Sequence, residues 1–377
     1  MSDVARHILT VNAGSGSLHI DCFPWNDDEP TASHDLDWQG AGHDTKAYTD
    51  AVGQALAQFD RARIAAVGHR VVHGGTRYQH GVRIDEDVKR TIRELAPLAP
   101  QHNPVALAVI EAMERALLGV PQVAAFDTAF HHTLPPRAYL YGVPYAWYED
   151  WGVRRFGFHG LSHAYCAERA ATLLGRPLAQ TKIVTCHLGS GCSLAAVDGG
   201  RSIATTMGYT PLDGVVMGSR SGAVDPGLLL HLLEQGKLDV AALHDALSHD
   251  SGLKGLSGIS ADMREVSAAK DAGDERAALA VEVYAARIRE AIGAMAVALG
   301  GLDAITFADG VGENCPEVRA AVVAPLTWLG VALDDAANTY AQPDVDVAQA
   351  DARVRVLVIH TRETLMVARE VRRILAL

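Results

Sequence analysis

Two short segments rich in glycine and serine could form binding sites for phosphate. Residues 182–186 are a β-branched run that predicts a buried strand, and a second apolar run covers 194–197. Between them lies His187-Leu188-Gly189-Ser190-Gly191-Cys192-Ser193. A hairpin with such a turn exposes glycine N–H groups that can face an anion. Because glycine turns also join many hairpins that bind nothing, this turn alone is weak evidence.

The same pattern occurs near the N-terminus, which strengthens the interpretation. Apolar residues 8–11 lead into Asn12-Ala13-Gly14-Ser15-Gly16-Ser17, and a second strand-like run covers 18–21. With one inserted residue, 11–18 aligns with 186–194. The interval between the copies is too long for a solenoid, so the repetition predicts two similar domains. Two such domains could hold one phosphate chain between their turns.

Three arginines lie in glycine-rich or turn-like contexts that do not predict a helix surface: Arg70, Arg220 and Arg264. The planar guanidinium binds both carboxylates and phosphates. Such arginines could bring two anions together, for example a phosphate chain and a carboxylate, because their positive charge offsets the repulsion. An isolated arginine, in contrast, is most often a solvated surface residue.

Length and composition restrict the class of protein. A chain of 377 residues favours two domains, and a net charge of −12 argues against nucleic acid or an anionic membrane as partner. The five cysteines lack paired spacing, which predicts thiols in a reducing compartment. The N-terminal residues lack the apolar core of a signal peptide, and the apolar segment 291–302 is too short to span a membrane. We therefore expect a cytoplasmic protein.

Both strand-like and helical patterns occur along the chain. Residues 25–45 and 127–159 are predicted as irregular structure, the first with an edge element. A long helix is predicted over 267–300, either continuous or broken near Gly273, and a final helix over 363–377. Glu313 and Asn314 are predicted to cap the helix that follows them.

The chain resembles the acetate/propionate kinase family in ten blocks that run in family order from end to end. They are NAGSGSL (12–18), GHRVVHGG (68–75), HNP (102–104), FDTAFH (126–131), RRFGFHGLSH (154–163), HLGSGCS (187–193), MGYTPLDGVVMGSRSGAVDP (207–226), SGLKGLSGISADMR (251–264), GVGEN (310–314) and TRETLMVARE (361–370). The resemblance implies two duplicated actin-like (ribonuclease H-like) α/β domains with an active-site cleft between them. It implies an acyl- and phosphate-binding domain, 1–131 plus 365–377, and a nucleotide-binding and dimerisation domain, 132–364.

The resemblance also implies a reaction, the magnesium-dependent reversible transfer of a phosphoryl group from ATP to acetate, directly and in line, with manganese as a substitute metal. Arg70 would bind the acyl carboxylate, Arg220 would stabilise the transferred phosphoryl group, and His159 would donate to its equatorial oxygens. Asp127 would be the catalytic aspartate that positions the arginines. The matching magnesium positions are Asn12 and Glu363. The acyl pocket would be lined by Val72, Phe158 and Pro211, with Val72 favouring acetate over longer acids.

The implied partners are acetate, ATP or ADP, and a second copy of the chain in a homodimer. The positions that match the family's nucleotide and phosphate site are Ser15, His19, His187, Leu188, Gly189, Ser190, Gly191, Asp262, Met263, Arg264, Gly310, Val311, Gly312, Glu313 and Asn314.

Four residues depart from the family pattern. His19 replaces a lysine, Ser190 an asparagine and Gln101 a leucine, and Ala308-Asp309-Gly310 replaces Thr-Ala-Gly. Three of these lie along the nucleotide and phosphate track. They indicate either tolerated drift or another phosphoryl donor, such as pyrophosphate or a different nucleotide.

Three further alternatives stay open at this point. One is a kinase for propionate or another short acid, and another is a catalytically silent nucleotide-binding regulator. The spacing of His159 and His163, with His131 and His132 upstream, also suggests a zinc site, but neither an HExxH motif nor a cysteine pair accompanies them.

Overall fold

The chain divides into two compact units, each built on a six-stranded mixed sheet. The computed structural model describes residues 6–14, 17–37 and 45–376. The first unit comprises residues 1–132, 158–162 and 362–377, and the second comprises 133–157 and 163–361. Among the described residues, no helix is both long enough and apolar enough to cross a membrane.

The first sheet begins with a meander and continues with parallel strands. Its strands are β1 (His7–Ala13), β2 (Ser17–Pro24), β3 (Ala32–Asp37), β4 (Ile64–Val71), β5 (Val82–Arg83) and β6 (Gln122–Phe126). Their order across the sheet is β3-β2-β1-β4-β6-β5. Strands β1, β4 and β6 run parallel, while β2, β3 and β5 are antiparallel to their neighbours.

The second sheet has strands β7 (Lys182–Leu188), β8 (Cys192–Asp198), β9 (Arg201–Thr205), β10 (Ala304–Ala308), β11 (Val345–Asp346) and β12 (Arg355–Val358). Its order is β11-β12-β10-β7-β8-β9. Strands β7, β10 and β12 run parallel, and the remaining pairs are antiparallel. Reversed, this order repeats that of the first sheet strand by strand. The predicted α/β fold with duplicated domains is therefore confirmed.

The helices occupy the connections between strands and the end of the chain. They are α1 (Thr45–Leu56), α2 (Glu86–Glu94), α3 (Asn103–Ala116), α4 (Pro136–Tyr139), α5 (Tyr145–Trp151), α6 (Gly160–Leu173), α7 (Pro226–Glu234), α8 (Val240–His249), α9 (Gly252–Ser257), α10 (Met263–Asp271), α11 (Glu275–Leu299), α12 (Asp309–Asn314), α13 (Pro316–Val323), α14 (Asp335–Thr339) and α15 (Glu363–Leu375). Short 3-10 helices cover Arg61–Arg63, Ala96–Leu98, Asp127–Thr133, Leu178–Gln180 and Ala324–Leu329.

Apolar helix faces cover both sides of the first sheet. Helices α1 and α3 pack with β1, β2 and β4 in one cluster of buried residues, and helix α15 contacts β1, β4 and β6. A Cβ atom on Gly68 would lie 2.5 Å from Val367 Cγ1, so only glycine allows α15 to approach β4 this closely. This close packing positions the first turn of α15 beside the ends of the parallel strands.

Two predictions about local structure need correction. Residues 127–159 are not irregular, because they contain a 3-10 helix and helices α4 and α5. Such short helices depend on tertiary packing more than on propensity, so their sequence signal is weak. The helix predicted over 267–300 begins earlier, at Met263, and is two helices. The two helices are separated at Gly273, as the prediction of a broken helix had it. Gly273 has φ +96°, which a helix does not accommodate.

Candidate active site

The carboxyl ends of three parallel strands in the first unit bring polar residues together. Asn12 lies at the end of β1, Arg70 near the end of β4, and Asp127 directly after β6. Arg70 lies opposite Ala125 in the β4–β6 register, so Asp127 follows within reach of its side chain. Glu363 is the first residue of α15. Ligand sites of open α/β sheets form at such strand ends.

Arg70 connects these residues through its guanidinium. Its Nε and Nη2 atoms donate to the two carboxylate oxygens of Asp127 at 3.0 and 2.7 Å. Its Nη1 atom donates to Glu363 Oε2 at 2.9 Å and to Asn12 Oδ1 at 3.4 Å. The Asp127 contact is a bidentate fork, which fixes the plane of the guanidinium as well as its position.

The cluster is largely removed from water. The side chains of Asp127, Glu363 and Arg70 are 1%, 13% and 15% exposed. Attraction between opposite charges is stronger at such sites than at the surface, and the loss of one partner would leave a buried charge uncompensated. The guanidinium is therefore held in place before any ligand arrives.

The segment 158–162 packs against the same strand ends. The Phe158 carbonyl accepts from His131 Nε2 at 3.0 Å, and burial lowers the pKa of His131 to about 4. His159 is half-buried and has φ +54°, a conformation that L-residues adopt rarely. A Cβ atom on Gly160 would lie 2.0 Å from the Asp127 carbonyl oxygen. Glycine is thus required for this segment to approach Asp127.

The loop after β4 carries Val72, which is half-buried, and is fixed by residues that the sequence analysis missed. Buried Asn103 accepts from His73 N at 3.1 Å and donates to His73 O at 3.0 Å. Thr128 Oγ1 accepts from Gly74 N at 3.0 Å. The ring of Phe158, which is 1% exposed, packs edge-on against His73 with centroids 5.4 Å apart. Asn103 lies in the HNP block and Thr128 in the FDTAFH block, so the motif blocks were the sequence features that could have identified both residues.

The first glycine turn is described in part. Ser15 lies outside the described residues, and Gly14 N donates to Ser17 O at 2.8 Å. His19, opposite Asn12 in the hairpin register, lies between Asp35 at 2.7 Å and Asp21 at 3.1 Å. Hydrogen bonding to Asp21, reinforced by Asp35, raises the pKa of His19 to about 9. The imidazole is therefore cationic at neutral pH, like the lysine that it replaces.

The second glycine turn joins β7 and β8 in the second unit. Gly189 N donates to Gly191 O at 3.1 Å, and Ser190 O accepts from Gly218 N at 3.2 Å. His187 and Leu188 are buried at the end of β7, whereas the Ser190 side chain is exposed. His187 Nε2 lies 3.1 Å from Asp309 Oδ2. Asp309, one of the residues that differ from the family pattern, thus directly contacts the predicted phosphate turn.

Helix α12 contains the predicted nucleotide positions Gly310, Val311, Gly312, Glu313 and Asn314. The prediction that Glu313 and Asn314 cap the next helix is wrong, because Cys315 is the N-cap of α13. Instead, Glu313 Oε1 accepts from Asp309 N at 2.9 Å, and Asn314 Nδ2 donates to Gly310 O at 2.9 Å.

A buried arginine, Arg319, donates hydrogen bonds to carbonyls of α12. It lies outside every motif block of the sequence. Arg319 is 1% exposed, and its Nη1 atom donates to the carbonyls of Gly312 and Glu313, each at 2.8 Å. Its Nε and Nη2 atoms donate to Asn338 Oδ1 and O at 2.8 and 2.7 Å. These contacts fix the backbone of the predicted nucleotide segment.

The remaining predicted residues of the second unit lie in the loop between β9 and α7 and at the start of α10. Arg220 Nη1 donates to the Pro211 carbonyl at 2.7 Å, and burial lowers the pKa of Arg220. Asp262 is the N-cap of α10 and accepts from the side chain of Arg264, which is 85% exposed. Met263 is 2% exposed and belongs to the core.

Comparison with known proteins identifies the family of this chain. Residues 32–369 match the model of the acetokinase family. The chain belongs to the acetokinase family. An acetate kinase of Gloeobacter violaceus is 57% identical over 320 residues, which cover 84% of this chain and 78% of the relative.

Solved structures extend the comparison over almost the whole acetokinase chain. Porphyromonas gingivalis acetate kinase is 35% identical, with a TM-score of 0.89, over 98% of this chain and 100% of that chain. A propionate kinase from Francisella tularensis subsp. tularensis SCHU S4 is 32% identical, with a TM-score of 0.89, over 97% of this chain and 98% of that chain. The acetokinase fold is thus shared by proteins named for different acyl groups.

Proposed function

We propose that this protein is an acetate kinase, which transfers the terminal phosphoryl group of ATP to acetate and forms acetyl phosphate and ADP. The observation that carries the proposal is the Arg70 guanidinium, held at the strand ends by Asp127 and Glu363. A fixed guanidinium suits recognition of a small carboxylate and of phosphate oxygens. Membership of the acetokinase family supports ATP as donor and acetate as acceptor.

In the proposed step, one carboxylate oxygen of acetate forms a bond to the γ-phosphorus of ATP. The bond from that phosphorus to the β,γ-bridging oxygen breaks, and ADP leaves with the electron pair. Since acetate is already an anion, the step needs orientation and charge stabilisation but no general base. Arg70 binds the acetate carboxylate, and Asp127 keeps its fork in one orientation. Arg220 and His159 donate to the phosphoryl oxygens as negative charge develops.

Asn12 and Glu363 fit a magnesium ion. Asn12 Oδ1 and Glu363 Oε2 both accept from Arg70 Nη1, so these two oxygens lie close together beside that guanidinium. Magnesium prefers oxygen ligands and usually takes few from the protein, with phosphate oxygens and water completing the octahedron. The metal would neutralise charge on the phosphate chain, and manganese could take its place.

The acyl group is assigned to acetate because of the residues beside Arg70. Val72 follows β4 directly, and Phe158 presents a buried ring at His73. We expect these side chains to leave room for a methyl group. One methylene in an apolar pocket changes discrimination by only about 1–3 kcal/mol, so propionate should react more slowly without being excluded.

We also infer a cytoplasmic homodimer. All five cysteines are buried thiols, which supports a reducing compartment. Helix α7 has no buried residue although it is rich in leucine, and Leu228, Leu230 and Val240 are 48%, 60% and 73% exposed. Apolar side chains exposed in this way favour association with a second copy. Light scattering should report a dimer for wild type and a monomer for Leu230→Glu, while Leu279→Glu on α11 should stay dimeric.

The proposed activity is tested by hydroxylamine trapping of acyl phosphate. Acetate, propionate and butyrate are each combined with ATP, GTP or pyrophosphate, in the presence of magnesium. We expect the highest kcat/KM for acetate with ATP. A higher value for another acid or donor would refute that assignment, and no turnover with any pair would leave a non-catalytic nucleotide-binding role.

A further inference from the structure

The carboxylate of Asp309 lies against the second glycine turn. Its Oδ2 atom is 3.1 Å from His187 Nε2. A Cβ atom built on Gly189 would lie 1.9 Å from the same oxygen, so the carboxylate touches the bare backbone of that glycine. An anion therefore already occupies the side of the turn formed by His187 and Gly189.

The sheet register and a network behind Asp309 hold it in this position. Ala308 lies opposite His187 in the β7–β10 pairing, so the next residue reaches the turn directly. Asp309 has φ +66°, a conformation that Asp and Asn tolerate better than most residues. Its N–H donates to Glu313 Oε1, and Glu313 also accepts from His360 Nδ1 at 2.8 Å and Thr361 N at 3.3 Å.

Arg220 belongs to the same electrostatic environment. Burial raises the pKa of the Cys192 thiol to about 11, and the charges of Arg220 and Asp309 act on this thiol in opposite directions. Cys192 Sγ also contacts Gly189 O at 3.4 Å. The carboxylate and the arginine to which we assign phosphoryl stabilisation thus both act on the thiol beside the turn.

We propose that Asp309 is a specificity residue that competes with phosphate for the turn and disfavours donors consisting of phosphate alone. This inference rests on the proposed function, because it takes the turn as the donor phosphate site. A polyphosphate anion at His187 and Gly189 must displace the carboxylate or accept its repulsion. A nucleotide can compensate through its base and ribose, whereas inorganic pyrophosphate binds through phosphate contacts only. Asp309 therefore favours nucleotides over pyrophosphate.

The test measures binding to the full chain by isothermal titration calorimetry. The ligands are magnesium pyrophosphate, magnesium ADP and adenosine. Asp309→Asn removes the charge but keeps the shape and the tolerance of positive φ, and Asp309→Gly removes the side chain. Asp351→Asn is the matched control, since Asp351 is an exposed carboxylate of the same unit.

Both Asp309 variants should bind pyrophosphate about tenfold more tightly than wild type, as expected from removing a like charge at contact distance. ADP affinity should rise by a smaller factor than pyrophosphate affinity, because the discrimination assigned to Asp309 requires a difference between these two ligands. Adenosine affinity should stay within about twofold of wild type because adenosine carries no charge to repel. The control should match wild type with all three ligands. Added salt should reduce the difference between variant and wild type.

Unchanged or weaker pyrophosphate binding in both variants would overturn the inference. An equal gain for adenosine would also overturn it, because Asp309 would then act on loop conformation instead of on phosphate. Acyl phosphate formation is measured separately. Stronger pyrophosphate binding without acetate kinase turnover in wild type would uphold the competition and refute the proposed function. Acetate kinase turnover in wild type, together with unchanged pyrophosphate binding in the Asp309 variants, would refute the competition and support the proposed function.

Discussion

Replacing Arg70 by lysine tests the cluster that carries the proposed function. The substitution keeps the positive charge but removes the planar fork. Arg70 donates to both oxygens of Asp127, at 3.0 and 2.7 Å, and to Glu363 at 2.9 Å. A lysine ammonium lacks the geometry to donate to two Asp127 oxygens and to Glu363 at once. We expect Arg70→Lys to lose both stability and affinity for acetate.

The magnitude follows from the contacts that are lost. A hydrogen bond to a charged group contributes about 1.5–3 kcal/mol, and lysine should retain about one of the three. Because the ammonium still compensates the buried Asp127 charge, we take the low end, about 3 kcal/mol. About 1 kcal/mol shifts the melting temperature by roughly 2–4 °C in a domain of this size, so a decrease of roughly 6–12 °C is expected. The KM for acetate should rise about tenfold or more, since an ammonium on a flexible stem does not hold its donors where the fixed guanidinium held them.

Thermal unfolding and acyl phosphate trapping measure the two effects. Arg77→Lys is the matched control, because Arg77 is 54% exposed and its ion pair with Asp87 lies at the surface of the same unit. Such a pair contributes about 0–1 kcal/mol. A melting temperature of Arg70→Lys within about 2 °C of wild type, together with an unchanged KM, would refute the reasoning. Lower stability with an unchanged KM would make Arg70 structural only.

Three further predictions follow from burial and close contact. Burial lowers the pKa values of His69 and His131 to about 4, and unfolding restores values near 6.5, so stability is lost as pH falls below 6.5. At pH 5 each histidine should cost about 2 kcal/mol, measured as the urea midpoint. Arg319→Lys should raise the KM for ATP with little effect on the KM for acetate. Gly160→Ala should abolish turnover, because its Cβ atom would collide with the Asp127 carbonyl.

Each of these predictions has a control. His69→Gln should remove about half of the stability loss between pH 6.5 and 5, because His131 keeps its own contribution, and an unchanged slope would contradict the assignment. For Arg319→Lys, a parallel rise in both KM values would indicate general loosening instead of positioning. Gly53→Ala should be tolerated, since nothing lies within 4 Å of a Cβ atom there, and a fully active Gly160→Ala would exclude the predicted collision.

Much of the fold could be predicted because its signals are local. The repeated apolar run, glycine turn and apolar run predicted both hairpins, and the two sheets have the same strand order. The short helices between 127 and 151 were missed, because proline and aromatic residues weaken their propensity and packing stabilises them instead. Glu313 and Asn314 looked like capping residues by their spacing alone, but α12 already includes them.

The candidate site was predictable in composition and unpredictable in geometry. The motif blocks named Asn12, Arg70, Asp127 and Glu363, but which atoms of Arg70 each one contacts follows from strand register and the docking of α15. The importance of Arg319 was hidden, because a single arginine in a helical pattern is usually a surface residue. Its burial against the carbonyls of α12 became visible only in the folded chain.

The sequence by itself determined the duplicated α/β architecture, the family and the residue types available for phosphoryl transfer, because periodicity, turn chemistry and motif spacing are encoded over short stretches of chain. Tertiary structure alone decided which charges meet. Asp309 was only an unusual residue in its block until β10 paired with β7 and placed its carboxylate at His187. Electrostatic interactions depend on distance and burial, and neither is set until the strands are in register.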